Sequence, residues 1–358
     1  MTELVVGTKK GVFLLEGEPG SGFEVTTRAF AGEPVDFATR DPRTGLAFAT
    51  VTSPFYGPKI FYTDDPSSSG EWQQAQGVEL PQGGEQALER IWVIAPGEGD
   101  GTLYAGGDPG VLFESHDGGA TWELNAGLWE QPSRPQWQPG GGGLCLHSIS
   151  TWPGDPEKLA VAISAAGMWL TEDGGRTWRR GNEGLNPRYL PEDAVGDENA
   201  GKCVHHVERA PKRPERLFMQ FHGGVYRSDD AGESWNDIGG GGLPSDFGFP
   251  LAIDPSDPES AYVIPLVADM DRVTPDGRVR VYETRDAGES WSPRGDGLPP
   301  ENAYLTVLRQ AFNHKGEGES LELYFGATSG ELFGSGDAGA TWATVEQRLP
   351  PVYSVVAV

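Results

Sequence analysis

Two cysteines, four methionines and six histidines are the whole stock of sulfur and imidazole side chains in 358 residues. With only Cys145 and Cys203, no disulfide framework can support the fold. No apolar run approaches the length that crosses a bilayer. Basic residues are scarce too: 27 Lys and Arg stand against 53 Asp and Glu, for a formal net charge of −26 and a pI near 4.5. Such a surface repels phosphate backbones and anionic lipid, so neither nucleic acid nor a membrane is expected as a partner. A cationic partner or a neutral polymer fits the charge, and acidity also serves solubility. The opening MTELVVGTKKGVFLL lacks the basic, apolar and small-residue succession of a secretion signal, and a cytoplasmic protein is expected. Nucleophile-elbow, P-loop and dinucleotide fingerprints are also missing, which removes support for acyl transfer, phosphate-loop and Rossmann chemistry. No cofactor is implied. The spaced glycines of GGDPGVLFES precede a strand and read as a turn.

Glycine (52) and proline (29) are abundant, and aromatics make up 10%, a composition suited to many short strands joined by turns. Residues 115–122 read SHDGGATW, and four further copies follow: TEDGGRTW from Thr171, SDDAGESW from Ser228, TRDAGESW from Thr284 and SGDAGATW from Ser335. Their aspartates, Asp117, Asp173, Asp230, Asp286 and Asp337, recur every 51–57 residues, the length of one four-stranded propeller blade or slightly more. Each follows an apolar strand. Two weaker copies, at 59–72 and 11–25, bring the count to seven units. Their third strands are marked near 11–16, 59–64, 111–116, 167–172, 224–229, 280–285 and 331–336. In the sixth unit FPLAIDP, SAYVIPLV and RVRVYETR read as successive strands, with a fourth beginning after Trp291. The expected fold is all-β: one seven-bladed β-propeller of four-stranded antiparallel blades over residues 1–358. The chain begins with a second-type strand at 3–8 and ends with a first-type strand at 351–358. Pairing of these two would close the ring and remove its sheet edges.

The motif S/T-x-D-x-G-x-T/S-W resembles the Asp-box, or BNR repeat, of sialidases, some glycoside hydrolases and sortilin-like receptors. The stretches GGGGLCLHSI, SDFGFPLAIDP and ENAYLTVL look like bacterial sialidase-like and glycosyl-hydrolase-like members of that group. Asp-box propellers that bind peptides or aid photosystem assembly show that the resemblance does not require catalysis. Within each box the Asp can accept turn N–H groups, Gly can take a conformation closed to other residues, and the tryptophan (Trp122, Trp178, Trp235, Trp291, Trp342) can cover the hairpin. Five equivalent carboxylates cannot share one substrate, so the box is expected to be structural. Sialidase activity is not expected: ERIWVI has Arg-Ile without the following Pro and falls in the third unit. Those enzymes also resemble six-bladed rings.

In a meander the Asp-boxes occupy one face, and the long irregular loops occupy the other, where binding groups usually sit. There Trp129, Trp137, Tyr56, Tyr189 and Phe247 could form an aromatic wall for a sugar ring or could pack the loops onto the scaffold. Alignment of five innermost strands on their terminal proline brings Asp36, Arg90, His147, His205 and Phe249 to one level, either a polar channel lining or the floor of a pocket. Cys-x-His occurs in GLCLHS and GKCVHH, but strand alternation points Cys203 and His205 away from Cys145 and His147, leaving His147 with His206 as the only metal-ligand pair suggested. Acid/base candidates on the loop face are Glu89, Asp246 and Glu301, with Asp193, Asp269 and Asp271 also available. The leading expectation is a scaffold that binds a protein or carbohydrate ligand through its loop face and channel mouth. The alternative is a glycoside hydrolase or lyase.

Overall fold

A computed structural model describes residues 1–67, 70–84, 86–191 and 201–358; Asp193 lies outside them. The described chain is almost entirely β, with a single four-residue α-helix at Ala126–Trp129. Five sheets have four strands each, and a sixth has eight. In the sheet that follows Val35–Arg40, hydrogen bonds join that strand to Ala47–Ser53, Gly57–Thr63 and Gln73–Gln74 in turn, and the other four-stranded sheets repeat the same meander. The strands expected in the sixth unit are found at Gly248–Asp254, Asp257–Pro265, Val281–Thr284 and Ser292–Arg294.

The eight-stranded sheet contains both ends of the chain. Thr2–Thr8 pairs antiparallel with Val352–Ala357 in the register Leu4 to Ala357 and Val6 to Val355. Val352–Ala357 then meets Val307–Lys315 through one parallel contact, Gln310 to Ser354. The first strands of the meanders face a common space. Residues of six of them, His147, His206, Gln310 and Phe312 included, line a cavity of about 260 Å³. Apolar cores lie between neighbouring sheets, where Phe48, Phe113, Phe218 and Phe325 are fully buried. Burial of side chains of this size contributes roughly 2–3 kcal/mol each.

The five repeated turns are built alike. Asp230 Oδ1 accepts from the Ser228 hydroxyl (2.8 Å) and the Ser234 amide (2.9 Å), while Oδ2 accepts from the Ser234 hydroxyl (2.5 Å). Asp117, Asp173, Asp286 and Asp337 accept the equivalent bonds. The first hydroxyl of each motif accepts the amide of the fifth-position glycine, as Gly232 donates to Ser228 Oγ at 2.9 Å. That glycine has φ near +90°, 97° at Gly232, a conformation that penalises a Cβ. The tryptophans are buried, and three of them reach the preceding unit: Trp178 Nε1 donates to Asn125 Oδ1, Trp235 Nε1 to the Gly181 carbonyl and Trp291 Nε1 to the Ile238 carbonyl. Each turn therefore holds its own hairpin, and some also tie one sheet to the next.

Candidate functional site

At the loop-face end of the enclosed space, the first strands share a backbone irregularity. In the strand Val35–Arg40 the register jumps between Val35 and Phe37, leaving Asp36 as an extra, unpaired residue. The same slip isolates Trp92 between Ile91 and Val93, His147 between Leu146 and Ser148, and His205 between Val204 and His206. Wider slips free Phe249 and Pro250, and the stretch Leu308–Ala311 that includes Arg309. A bulge re-aims its extra side chain out of strict alternation. Six of the meanders thus present one residue each, Asp36, Trp92, His147, His205, Phe249 and Arg309, at their bulges.

Arg309 dominates the electrostatics. It is 9% exposed and reaches across the enclosed space, with Nη2 3.4 Å from Ser164 Oγ. Its guanidinium lies over two aromatic faces, 5.0 Å from the Phe249 ring centre and 5.6 Å from that of Trp92. Among the described residues no carboxylate pairs with it, and its buried Nε has no hydrogen-bond partner; nor has Trp92 Nε1. A guanidinium cannot shed its proton in a protein, so this is a buried positive charge without a counter-ion. Two further cations lie nearby: Arg90 stacks on Trp92 at 4.8 Å, and Arg272 stacks on the other available ring, Phe249, at 5.2 Å. In a chain of net charge −26, this concentration of arginine runs against the surface average.

Two acids share the site. Asp36 accepts from the Thr52 hydroxyl (2.6 Å) and lies 3.3 Å from Arg90 Nε. Burial raises its pKa, partly opposed by Arg90 and the Thr52 bond. Asp108 accepts from the Leu144 amide, and burial raises its pKa as well, with Glu89 adding repulsion. The glycine run 140–143 lies against these groups. A Cβ on Gly143 (φ +101°) would collide with the Asp108 carboxylate, and one on Gly142 would sit 3.9 Å from Arg309 Nη2. Backbone can approach this closely only without side chains.

His205 and His147 are both held neutral by burial, with Arg309 adding repulsion. His205 Nδ1 bonds the Gly248 carbonyl at 2.6 Å and stacks 4.7 Å from Phe249. His147 Nε2 bonds the Val204 carbonyl and Nδ1 the Ser148 hydroxyl, so both its nitrogens are engaged. His206 instead reaches Glu208 at 2.8 Å and lines the cavity below.

Of the level expected from sequence, Asp36, His147, His205 and Phe249 do occupy equivalent bulges, whereas Trp92, two residues on, takes the place expected for Arg90. The other candidates are scattered. Trp137 is 6% exposed and packs on Trp169, and Arg134 is sandwiched between Trp137 and Trp129, so Trp137 serves the core and not an open wall. Tyr189 stacks on His222 at 4.0 Å, while Tyr56 stands exposed. Asp246 is bound by Arg188 at 2.7 Å, and Glu89 and Glu301 are exposed. Sequence reasoning missed Arg309, Trp92, Arg272 and His222.

No family model matches the chain. An oligoxyloglucan-reducing end-specific xyloglucanase of Emericella nidulans is 26% identical over 202 residues, 49% of this chain and 24% of that protein. The chain thus spans about a quarter of the curated relative it matches. Among solved structures, an ancestral GH74 enzyme superposes with a TM-score of 0.57 at 17% identity, covering 90% of this chain and 38% of the enzyme. The β-propeller domain of Cps50 (Swd1) from Myceliophteria thermophila gives 0.55 at 9% identity and 88% coverage of both chains. The fold is a β-propeller.

Proposed function

We propose that the chain is a closed seven-bladed propeller of the Asp-box class whose channel mouth binds a small acidic carbohydrate. Support for the count comes from the five four-stranded sheets together with the eight-stranded one, in which two four-strand meanders meet at a single parallel contact. Support for closure comes from the pairing of the first strand with the last.

The observation that carries the ligand is Arg309. A buried guanidinium flanked by aromatic faces and lacking an anion is costly to keep, unless a ligand supplies the missing charge. A sugar acid answers each feature. Its carboxylate can take the guanidinium fork, its ring can lie along Trp92 or Phe249, and its hydroxyls can meet Asp36 and Asp108. The partial similarity to a xyloglucanase favours a carbohydrate over other organic acids. Calorimetric titration with glucuronate and with glucose tests the reading. Glucuronate should bind at least about tenfold more tightly, or about 1.4 kcal/mol; equal affinity, or no binding of either, would overturn it.

One observation favours a second reading as a hydrolase or lyase. Asp36, 3.3 Å from Arg90, and Asp108, paired with Arg90 across the strand ladder, are acids whose pKa burial raises, the condition in which a carboxyl group can protonate a leaving oxygen. Turnover of acidic glycans that is lost in Asp108→Asn would support it, and no turnover across the panel would leave the binding role alone.

A further inference from the structure

Beside the arginine site, Cys203, His205 and His222 bring a thiol and two imidazoles together, with their donor atoms within 4.8 Å of one another. We propose that these three side chains bind a zinc-class divalent cation at the channel mouth, with Asp269, 3.6 Å from His222, drawn in as the fourth ligand.

Three features single out this trio. First, the His205 tautomer is fixed. The Gly248 carbonyl can only accept, so Nδ1 carries the proton at 2.6 Å, and the Nε2 lone pair is left free. This is the arrangement by which metal-binding histidines are oriented, the far nitrogen held by a carbonyl while the near one ligates. Second, His222 sits on the turn after the strand Leu217–Phe221, with Nε2 3.6 Å from Asp269 Oδ2. An anionic oxygen therefore already lies beside the second nitrogen. Third, one sulfur, two nitrogens and one carboxylate oxygen form the mixed donor set that zinc and cobalt(II) accept and that magnesium and calcium do not.

Ligand atoms around a tetrahedral zinc ion, with bonds of about 2.0–2.3 Å, stand about 3.5 Å apart. The trio must contract by about 1 Å to reach that spacing. The charges close. As the ion binds, the Cys203 S–H bond breaks, sulfur keeps the electron pair and forms the bond to the metal, and the proton passes to the buffer. Thiolate and Asp269 carboxylate then cancel the dication, so Arg309 and Arg272 face a neutral cluster.

The inference does not depend on the sugar-acid reading, and its test uses no carbohydrate. Metal-free full-length protein is titrated with cobalt(II), following absorbance and proton release in weak buffer. One ion per chain, one proton released per ion and a thiolate-to-cobalt charge-transfer band are expected. Cys203→Ser should abolish the band, His222→Ala should weaken binding by about 100-fold or more, and Cys145→Ser should leave both intact. Near-ultraviolet circular dichroism of each variant verifies folding, and His222, on its turn, can be replaced without opening the core. The proposal is overturned if cobalt produces no thiolate band in the folded wild-type protein, or if the band survives Cys203→Ser or depends on Cys145.

Discussion

Replacing Arg309 with methionine should separate stability from binding. The guanidinium leaves a buried Nε unsatisfied, a cost of about 1–3 kcal/mol. Its favourable contacts are two aromatic faces at 5.0 and 5.6 Å and a long bond to Ser164. Each face contributes about 0.5–1 kcal/mol, and methionine recovers part of that through sulfur–aromatic contact. Arg309→Met should therefore leave the fold unchanged or stabilise it by about 1–2 kcal/mol, which urea unfolding monitored by tryptophan fluorescence can resolve. Binding should move the other way. Losing one half of a buried charge pair costs about 2–5 kcal/mol, so affinity for glucuronate should fall by at least about 30-fold. A variant destabilised by more than about 2 kcal/mol with unchanged glucuronate affinity would refute the reasoning and make Arg309 a structural residue.

Three further outcomes follow from the same geometry. Asp230→Ala removes three accepted hydrogen bonds and should destabilise the protein by about 2 kcal/mol in urea melts, while leaving the channel mouth's ligand affinity unchanged. Gly143→Ala meets both a positive φ and the Asp108 carboxylate; it should cost about 2 kcal/mol or more and weaken glucuronate binding, measured by thermal melts and calorimetry. Acid should unfold the protein through the repeated turns. Hydroxyl and amide bonds hold Asp173 at about 2 and lower Asp286, and they overcome the upward push of burial at Asp117, Asp230 and Asp337. Because these folded values lie below the ordinary 3.8, the stabilisation is full above that pH and is lost as pH falls toward about 2, as circular dichroism against pH would register.

Much of the scaffold was legible because repetition reports strand positions directly. Strands at Gly11–Glu18, Gly57–Thr63, Val111–Ser115, Gly167–Thr171, Gly224–Ser228, Val281–Thr284 and Leu332–Ser335 accompany the repeated motif, and the first strand pairs with the last. The site was only half legible, and the reason is local. Five inner strands end in proline and could be aligned on it, but Val307–Lys315 runs on through NHKG without one, so Arg309 had no marker. Alternation of side chains, the rule used to orient Cys203 and His205, fails at a bulge, and every one of these strands slips there. The metal trio was hidden for a further reason: its third member comes from a neighbouring turn, FHGG, whose proximity depends on pairing between Val204–Arg209 and Leu217–Phe221. Trp137 misled because a loop aromatic can turn inward, and it does so onto Trp169.

The six slipped residues have a consequence for engineering. A residue that takes no part in the ladder can be exchanged without rewriting the hydrogen-bond register on either side, although His147 and His205 also tie their strands to the next sheet through the Val204 and Gly248 carbonyls. The channel mouth therefore mixes residues that belong to the frame, His147 and His205 among them, with Trp92 and Arg309, whose polar atoms are poorly satisfied, and a library confined to Trp92 and Arg309 should yield mostly folded proteins with new ligand preferences.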